Sequence, residues 1–405
     1  MTLGARFNTV VEKLRGGFWF VPGVMAIGAV LLAVLSLKAD QAQSYHSLQE
    51  SGLVFGGGPE GARAVLSAIA TSLITVAGTT FSITIAALSF ASAQFGPRLL
   101  RSFMRDRGNQ FVLGAFTATF LYCLLILRTV RGTDESTVVP HISVTIGVAL
   151  AVFSLAVLIY FIHHVAQSIQ VASILQVTGA ELDASIRRLF PEQVGRPSPR
   201  ANGEAERGQP ITADASGYVE TIESEVLLDV AAAHDITLTV ISRPGDYIIQ
   251  GMPLVLADPP VDETAHRSIR HAFALGLTRT PQQDSVFAFL QVADIALRAL
   301  SPSVNDPLTA CMCLDRITCA MCLLADRSLP DAFRTGPSGR GRLIAHPYSY
   351  ADIVVAAYHH IAQAARGQEM VAQRCRACLE LLLERHVAPE LGLALQEELE
   401  ALDQL

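Results

Sequence analysis

The strongest constraint on the fold is residues 18–37, a run of 20 residues without a charged side chain. About 20 apolar residues in a helix span the hydrocarbon core of a bilayer. Lys13 and Arg15 precede the run, and its apolar length exceeds the core of a cleavable signal peptide, which is about 7–15 residues. We therefore predict an uncleaved membrane-spanning helix, with Trp19 at the membrane interface.

Three further apolar segments follow, and charged residues become common only after about residue 180. The segments are 65–93, 111–127 and 142–162. The first of them would be roughly 43 Å long as a helix, so it must tilt or project beyond a core of about 30 Å. Together the four segments predict an α-helical membrane domain of about four transmembrane helices in residues 1–165.

Arginines concentrate in the short loop between the second and third spans. They are Arg98, Arg101, Arg105 and Arg107. Short loops rich in Arg and Lys stay in the cytoplasm. We therefore expect a multi-pass protein of the bacterial inner (plasma) membrane, with both termini cytoplasmic. Residues 96–108 are typical of an interfacial helix, in which Arg98, Arg101 and Arg105 contact lipid or take part in gating. The alternative is that they only set the topology.

The second span carries a stripe of small and hydroxyl side chains within an arc of about 100°. The stripe consists of Thr71, Thr75, Gly78, Thr79, Ser82, Ala86, Ser89 and Ala93. Small residues let helices approach closely, and hydroxyls form hydrogen bonds between helices, so the stripe is explained by helix packing. The alternative is that it lines a path for a small ion or solute.

A β-rich region follows the helical extension and linker that we assign to residues 166–208. Its predicted strands are 218–222, 236–242, 246–250 and 253–257. The pattern around Pro244-Gly245-Asp246 resembles the small barrel-sandwich of biotinyl and lipoyl carrier domains. Those domains attach their cofactor to a lysine, whereas this chain has no lysine after Lys38. We therefore predict a small β-barrel-sandwich-like module at 209–260 with a structural or assembly role.

Residues 261–405 are typical of a cytoplasmic helical domain, with a loop at 326–348. The predicted helices are 262–276, 284–300, 307–325, 350–366, 368–386 and 388–404. The third begins at a clear signal, because Asn305 or Asp306 can cap its N-terminus and Pro307 suits its first turn.

Polar residues cluster around the second helix of this domain. They are Gln283, Asp284, Asp294, Arg298, Ser301, Asn305 and Asp306. Asp294 and Arg298 stand four residues apart and can pair on one helix face. The cluster fits a structural network at a helix corner; a ligand or ion site and a catalytic site are the alternatives.

Six cysteines fall in the same domain, and four of them form C-x-x-C pairs. They are Cys311, Cys313, Cys319, Cys322, Cys375 and Cys378. Both pairs lie inside predicted helices, which favours packing over metal binding. In the pairs His163–His164 and His359–His360, adjacent side chains point about 100° apart and do not chelate easily together. We predict no metal, cofactor or catalytic motif, and a net charge of −7 argues against a nucleic-acid partner.

Two stretches carry a resemblance to a known family. They are ASAQFGPRLLRSFMRDRGNQFVLGAFTATFLY and QQDSVFAFLQVADIALRALSPSVNDPLTA. The chain resembles an uncharacterised bacterial family of predicted membrane proteins, domain of unknown function 2254, over nearly its whole length. The resemblance implies the four-span architecture and no assigned activity, and the cysteines are not part of its pattern.

Three functions remain open. The first is an oligomeric channel or channel-like transporter for a small ion or solute, with the second span lining the path and the cytoplasmic part assembling or gating it. The second is a membrane-anchored sensor or scaffold that binds a ligand or partner around Arg298 and Asn305. The third is a membrane-bound enzyme acting at Asp294, Arg298 and Asp306. The expected partners are the lipid bilayer, further copies of the chain and a small ligand or ion.

Overall fold

A computed structural model describes most of the chain in two compact units. The described residues are 19–41, 55–95, 106–133, 136–168, 170–190, 208–335, 342–385 and 387–404. One unit comprises Met1–Ser173 and the other Ile174–Leu405. We call them the N-terminal unit and the C-terminal unit.

The described part of the N-terminal unit consists of four long helices and a short hairpin. The elements are α1 (Phe20–Gln41), α2 (Pro59–Phe95), α3 (Arg107–Leu127), the hairpin β1 (Arg131–Thr133) and β2 (Ser136–Val138), and α4 (His141–Ser168). All four predicted spans are confirmed as helices. The second is longer than predicted, because α2 has 37 residues.

The centre of this unit is α3, which packs against α1, α2 and α4. Phe116 and Tyr122 on α3 are fully buried. Gly114 lets α1 approach closely, since a Cβ there would stand 3.2 Å from the Cα of Pro22 and 2.6 Å from the sulfur of Met25. Small residues therefore set the helix spacing here, as is usual in membrane bundles.

Two carboxylates tie α4 to its neighbours. At the end of α1, Asp40 accepts hydrogen bonds from the backbone N–H groups of Ile142 (2.8 Å) and Ser143 (3.0 Å) and so caps the start of α4. Near the other end of α4, His164 Nε2 lies 2.6 Å from Oδ2 of Asp106, the N-cap of α3. The helix is thus fixed at both ends.

In the residues that the structure describes, the C-terminal unit combines two sheets with a layer of helices. Its first elements are α5 (Val171–Leu189), β3 (Gln209–Thr212), β4 (Gly217–Ile222), α6 (Ser224–His234), β5 (Thr237–Val240), β6 (Tyr247–Ile248), β7 (Pro253–Asp258), α7 (Glu263–His271) and β8 (Phe273–Gly276). The remaining elements are α8 (Ser285–Ala299), α9 (Pro307–Ala325), β9 (Phe333–Thr335), β10 (Arg342–Ile344), α10 (Tyr350–Val354), a π-helical turn (Val355–His359), α11 (His360–Ala364), α12 (Glu369–Leu383) and α13 (Pro389–Asp403).

Among the described residues, five helices are long and apolar enough to cross a membrane, one more than the four predicted. They are α1, α2, α3, α4 and α9. The additional helix, α9, carries only two charged residues, Asp315 and Arg316, and therefore meets the same criterion of length and composition. From the sequence, this helix is predicted to belong to the cytoplasmic helical domain.

The prediction of a barrel-like module at 209–260 is wrong, because the described strands close no barrel. One sheet has the order β3-β7-β5-β10-β9 and the other β6-β4-β8. β5 pairs in parallel with β10, which places Leu238 opposite Leu343, and β4 pairs with β8. Strands within 209–260 therefore take partners from outside that range, and their side chains form one shared core.

The helical layer is organised around α8, which is buried along most of its length. It packs against α9 and the π-helical turn, and α9 packs in turn against α12. In the π-helical turn, Tyr358 is fully buried and its hydroxyl lies 2.9 Å from Oγ1 of Thr318 on α9. This contact holds the π-helical turn against α9.

Candidate functional site

The stripe on α2 lies on the exposed side of the helix. Thr71, Thr75, Gly78, Thr79, Ser82, Ala86 and Ser89 are all exposed; the side chain of Ala93 lies outside the described residues. The buried face consists of Ala62, Leu66, Ala70, Leu73, Ala77, Thr80, Thr84 and Leu88. The two faces are roughly 180° apart around the helix. The stripe residues therefore do not pack against the helices of their own unit.

Three hydroxyls of the stripe donate to carbonyls within α2 itself. Thr75 Oγ1 donates to the carbonyl of Thr71 (2.9 Å), and Thr79 Oγ1 donates to that of Thr75 (3.0 Å). Ser82 Oγ donates to the carbonyl of Gly78 (2.9 Å). Each hydroxyl oxygen keeps acceptor capacity toward the outside. At Gly78 an added Cβ would meet nothing within 4 Å, so the chain's own packing does not require this glycine.

Arg98, Arg101 and Arg105 lie outside the residues that the structure describes. Their predicted role at the membrane surface therefore stays a prediction. The same loop ends at Asp106, whose carboxylate caps α3 by accepting a 2.7 Å bond from Gly108 N.

The predicted polar cluster divides into two groups at opposite ends of α8. At the C-terminal end, Arg298 Nε pairs with Asp294 Oδ2 at 3.3 Å, and each side chain is about one-third exposed. Ser301 Oγ donates to the carbonyl of Arg298 at 2.7 Å. Gln368 Nε2 donates to Asn305 Oδ1 at 2.9 Å.

Asp306 is confirmed as the N-cap of α9, with Pro307 in the first turn. Its Oδ1 accepts from Thr309 N (3.1 Å) and its Oδ2 from Thr309 Oγ1 (2.6 Å). Asn305 adopts a left-handed conformation with φ of 48°, which turns the chain into the cap. The polar groups of this corner are thus bonded to one another and to Gln368.

At the N-terminal end of α8, Gln283 and Asp284 join the helix to the sheets. Gln283 bonds both backbone groups of Ile222, accepting from its N–H at 2.8 Å and donating to its carbonyl at 3.2 Å. Asp284 is fully buried and caps α8 by accepting from Phe287 N at 2.9 Å. Its Oδ2 accepts two bonds from Arg279, at 2.6 and 2.9 Å.

Burial raises the pKa of Asp284 above its ordinary value of 3.8, and the guanidinium of Arg279 opposes this rise. The carboxylate lies beside the turn that contains Gly245, above which Tyr348 Oη donates to the carbonyl of Pro244 at 2.8 Å. The guanidinium of Arg243 stacks 4.1 Å from the centre of the Tyr348 ring. The sequence pattern predicts Asp284 as part of a polar cluster, whereas Arg279 and Tyr348 belong to no motif and were not predicted.

The cysteines of the C-terminal unit lie on α9 and α12, inside helices as predicted. Cys313, Cys375 and Cys378 are buried and Cys319 is exposed. Burial raises the pKa of the Cys375 thiol to about 12. Within the described ranges, no group of three or more His, Cys, Asp or Glu residues is placed to hold a metal ion. His359 pairs with the buried carboxylate of Glu398, with Nδ1 3.2 Å from Oε2.

Comparison with known proteins places the chain among predicted membrane proteins. The family model described as "Predicted membrane protein (DUF2254)" matches residues 15–381. Uncharacterized proteins of Mycobacterium bovis and Mycobacterium tuberculosis are 36% identical over 350 residues, which cover 82% of this chain. The match spans 65% of the length of those relatives. No solved structure matches the chain. Since the family match runs from the first apolar helix through the SPSVNDP corner and on into α12, the chain belongs to the DUF2254 family of predicted membrane proteins.

Proposed function

We propose that the chain forms an oligomeric channel or channel-like transporter for a small ion or solute in the bacterial inner membrane. Both termini lie in the cytoplasm in this proposal, in agreement with the arginine-rich 96–108 segment. The observation that carries the proposal is the exposed stripe of α2, which lies opposite the face that holds the helix in its own bundle.

The chemistry of the exposed side of α2 supports a shared path rather than contact with lipid alone. Ile74, Phe81 and Ile85 flank the stripe on one side and Ile83 flanks it on the other, and all four are exposed. Such large side chains suit contact with lipid tails. Between them, the stripe offers hydroxyl oxygens that can accept hydrogen bonds from water or coordinate a partly dehydrated cation.

The length of the stripe fits a bilayer. From Thr71 to Ser89 the helix rises roughly 27 Å, close to the hydrocarbon thickness of about 30 Å. The whole of α2, with 37 residues, measures roughly 55 Å and therefore projects beyond the hydrocarbon region. In the proposed oligomer, α2 from each copy presents its stripe to a common axis, and Gly78 gives room for close approach.

A flux assay with matched variants tests this proposal. Purified full-length protein in liposomes would be assayed for the flux of monovalent ions and small osmolytes. Ser82→Leu places a large apolar group in the path and should abolish the flux. Ile83→Leu is the control. Ile83 is exposed beside the stripe, leucine has the same volume as isoleucine, and the flux through this variant should match that of the wild type. Absence of any flux through the wild-type protein, under all stimuli tried, would end the channel proposal.

The alternative function is a membrane-anchored ligand-binding sensor or scaffold without transport. A pocket of the C-terminal unit lined by Arg188, Arg243 and Arg334 is a better candidate for the ligand site of such a sensor than the Arg298–Asn305 corner. The polar groups of the corner already bond to one another. In a sensor, Ser82→Leu would have little effect on ligand response. In neither proposal is the chain an enzyme, and both oxygens of Asp306 are already bonded to Thr309.

A further inference from the structure

The C-terminal unit contains an open pocket of about 310 Å³. Its wall is formed by the end of α5, the start of α6, the turn after β5 and the segment after β10. The wall contains three arginines, Arg188, Arg243 and Arg334, and also His346. Among the described residues that line it, none carries a carboxylate. The pocket is therefore cationic, although the chain as a whole carries a net charge of −7.

Two of the arginines bond only to neutral groups of the described residues. Arg188 donates to the carbonyls of Pro281 (2.7 Å) and Gln282 (3.2 Å), which are neutral. Arg334 Nη1 donates to the hydroxyl of Ser224 at 2.9 Å. In the part of the chain that the structure describes, neither guanidinium has a carboxylate within 4.0 Å.

Arg243 differs from these two arginines. It pairs with Asp352 at 3.2 Å and lies 3.9 Å from Asp246. Its charge is therefore compensated within the fold, and it serves mainly to hold the Tyr348 ring at the pocket wall. Within the described ranges, the pocket therefore presents two positive charges that no carboxylate pairs with.

The position of Arg334 adds a second reason to expect an anion. Ser224 is the first residue of α6, an 11-residue helix whose N-cap, Glu223, makes no side-chain capping bond. A helix N-terminus carries a partial positive charge and free N–H groups, so a cation beside it is unfavourable unless an anion joins them. Glu223 and Glu225 flank Ser224, but both are exposed and neither lines the pocket.

The remaining wall is apolar and aromatic. It includes Phe190, Ile222, Val240, Leu343 and Tyr348. A volume of about 310 Å³ lies at the small end of the range for ligand pockets. The charges of Arg188 and Arg334 are complementary to a phosphate dianion. The apolar wall and the Tyr348 ring suit a small organic group attached to that phosphate.

We propose that this pocket binds a phosphate monoester, with Arg188, Arg334 and the N-terminus of α6 binding the phosphate and the wall around Tyr348 binding the organic body. The phosphate belongs to a soluble metabolite or to a lipid headgroup, and both share this chemistry. The site is distinct from the α2 stripe, and it does not depend on whether the chain conducts.

Direct binding to the full-length protein in detergent tests the proposal without any transport readout. The probes are inorganic phosphate, adenosine 5′-monophosphate, a short-chain phosphatidic acid and, as the uncharged control, adenosine. Calorimetry should show saturable binding of at least one phosphate probe and none of adenosine. Tighter binding of the nucleotide than of the phosphatidic acid would assign a soluble ligand, and the reverse order a lipid headgroup.

Three variants locate the site. Arg334→Gln and Arg188→Gln should each raise the Kd by roughly tenfold or more, since each removes a charge-assisted hydrogen bond. Arg188 is exposed, so its variant keeps the fold even where Arg334→Gln does not. Arg366→Gln removes an exposed arginine that does not line the pocket, and the Kd should not change. Binding of none of the three phosphate probes, or equal Kd values in Arg188→Gln and wild type, would overturn the proposal.

Discussion

Gly245 lies directly against the buried carboxylate of Asp284, so closely that a Cβ at position 245 would stand 2.1 Å from Oδ2. The glycine belongs to the turn before β6, and its N–H donates to the carbonyl of Val219 on β4. The carboxylate caps α8. This single contact therefore joins a sheet to the helical layer.

Replacing Gly245 by alanine should destabilise the C-terminal unit strongly. Its φ of +96° strains any L-residue, and the added methyl would displace Asp284 from Arg279. We expect a loss of about 2–5 kcal/mol, combining backbone strain with overpacking. Urea unfolding followed with a thiol-reactive dye measures it, because buried cysteines react only on unfolding.

Gly251→Ala is the matched control for Gly245→Ala. Gly251 has nearly the same φ, +91°, but nothing lies within 4 Å of its added Cβ. We expect a loss of about 1–2 kcal/mol, from strain alone. Equal losses in the two variants would show that the contact with Asp284 adds nothing.

Removing Arg279 should cost more than removing the charge of Asp284. Arg279→Met leaves a buried carboxylate without its counter-charge, which costs about 3–5 kcal/mol. Asp284→Asn keeps an oxygen to cap α8, and the double variant should recover part of the loss of Arg279→Met. The check is a double-mutant cycle of unfolding free energies. Simple additivity would contradict a direct coupling of the two side chains.

Acidification should reduce the free-energy cost of burying the ionised carboxylate of Asp284. Burial raises its pKa above 3.8, so the folded protein binds more protons than the unfolded chain between the two pKa values. This contribution to stability is present at low pH and is lost as the pH rises through the folded pKa. The stability of the wild type relative to Asp284→Asn should therefore increase from pH 7 to pH 4, and a decrease would show the opposite pKa shift.

The cysteines test whether α9 lies outside the bilayer. We expect α9 to lie outside the bilayer, because its two charged residues form ion pairs with other helices of the C-terminal unit. Asp315 pairs with Arg374 at 2.6 Å, and Arg316 pairs with Asp183 at 2.6 Å. In single-cysteine variants in membrane fragments, Cys319 should react readily with a membrane-impermeant maleimide. Cys375 should stay unmodified until unfolding, since burial raises its pKa to about 12 and the thiolate is the reactive form. An unreactive Cys319 would indicate a fifth span.

Local signals predicted the parts of the fold that depend on neighbours in sequence. Long apolar runs predicted α1 to α4, and Asp306 with Pro307 predicted the start of α9. The structure differs from the prediction where an element forms only because a strand pairs with a partner distant in sequence. β8 replaces the end of the predicted helix at 262–276, and β9 and β10 lie in the predicted loop at 326–348. Strands of three or four residues carry too little pattern to be found without their partners.

The same limit applies to α6 and to the candidate sites. α6 lies in a region predicted as β-rich, and it buries only Leu227 and Ala231, which give a weak helical period. The helical period alone predicted the stripe of α2, but which face the bundle buries depends on α3 and α4. No local pattern could bring Arg188 and Arg334 to one pocket. The turn signal at Gly245 was visible, whereas its contact with Asp284 was not.

The parallel pairing of β5 with β10 sets an order of events during synthesis. Leu238 and its partner Leu343 are about a hundred residues apart in sequence. At a synthesis rate of about 5–20 residues per second, β10 is therefore made roughly 5–20 s after β5. Until then the edge of β5 that faces β10 has no strand beside it and can recruit a strand from another chain. A nascent chain that stalls before residue 342 would therefore expose an unpaired strand edge, and pairing of that edge with other chains is the expected route to its aggregation.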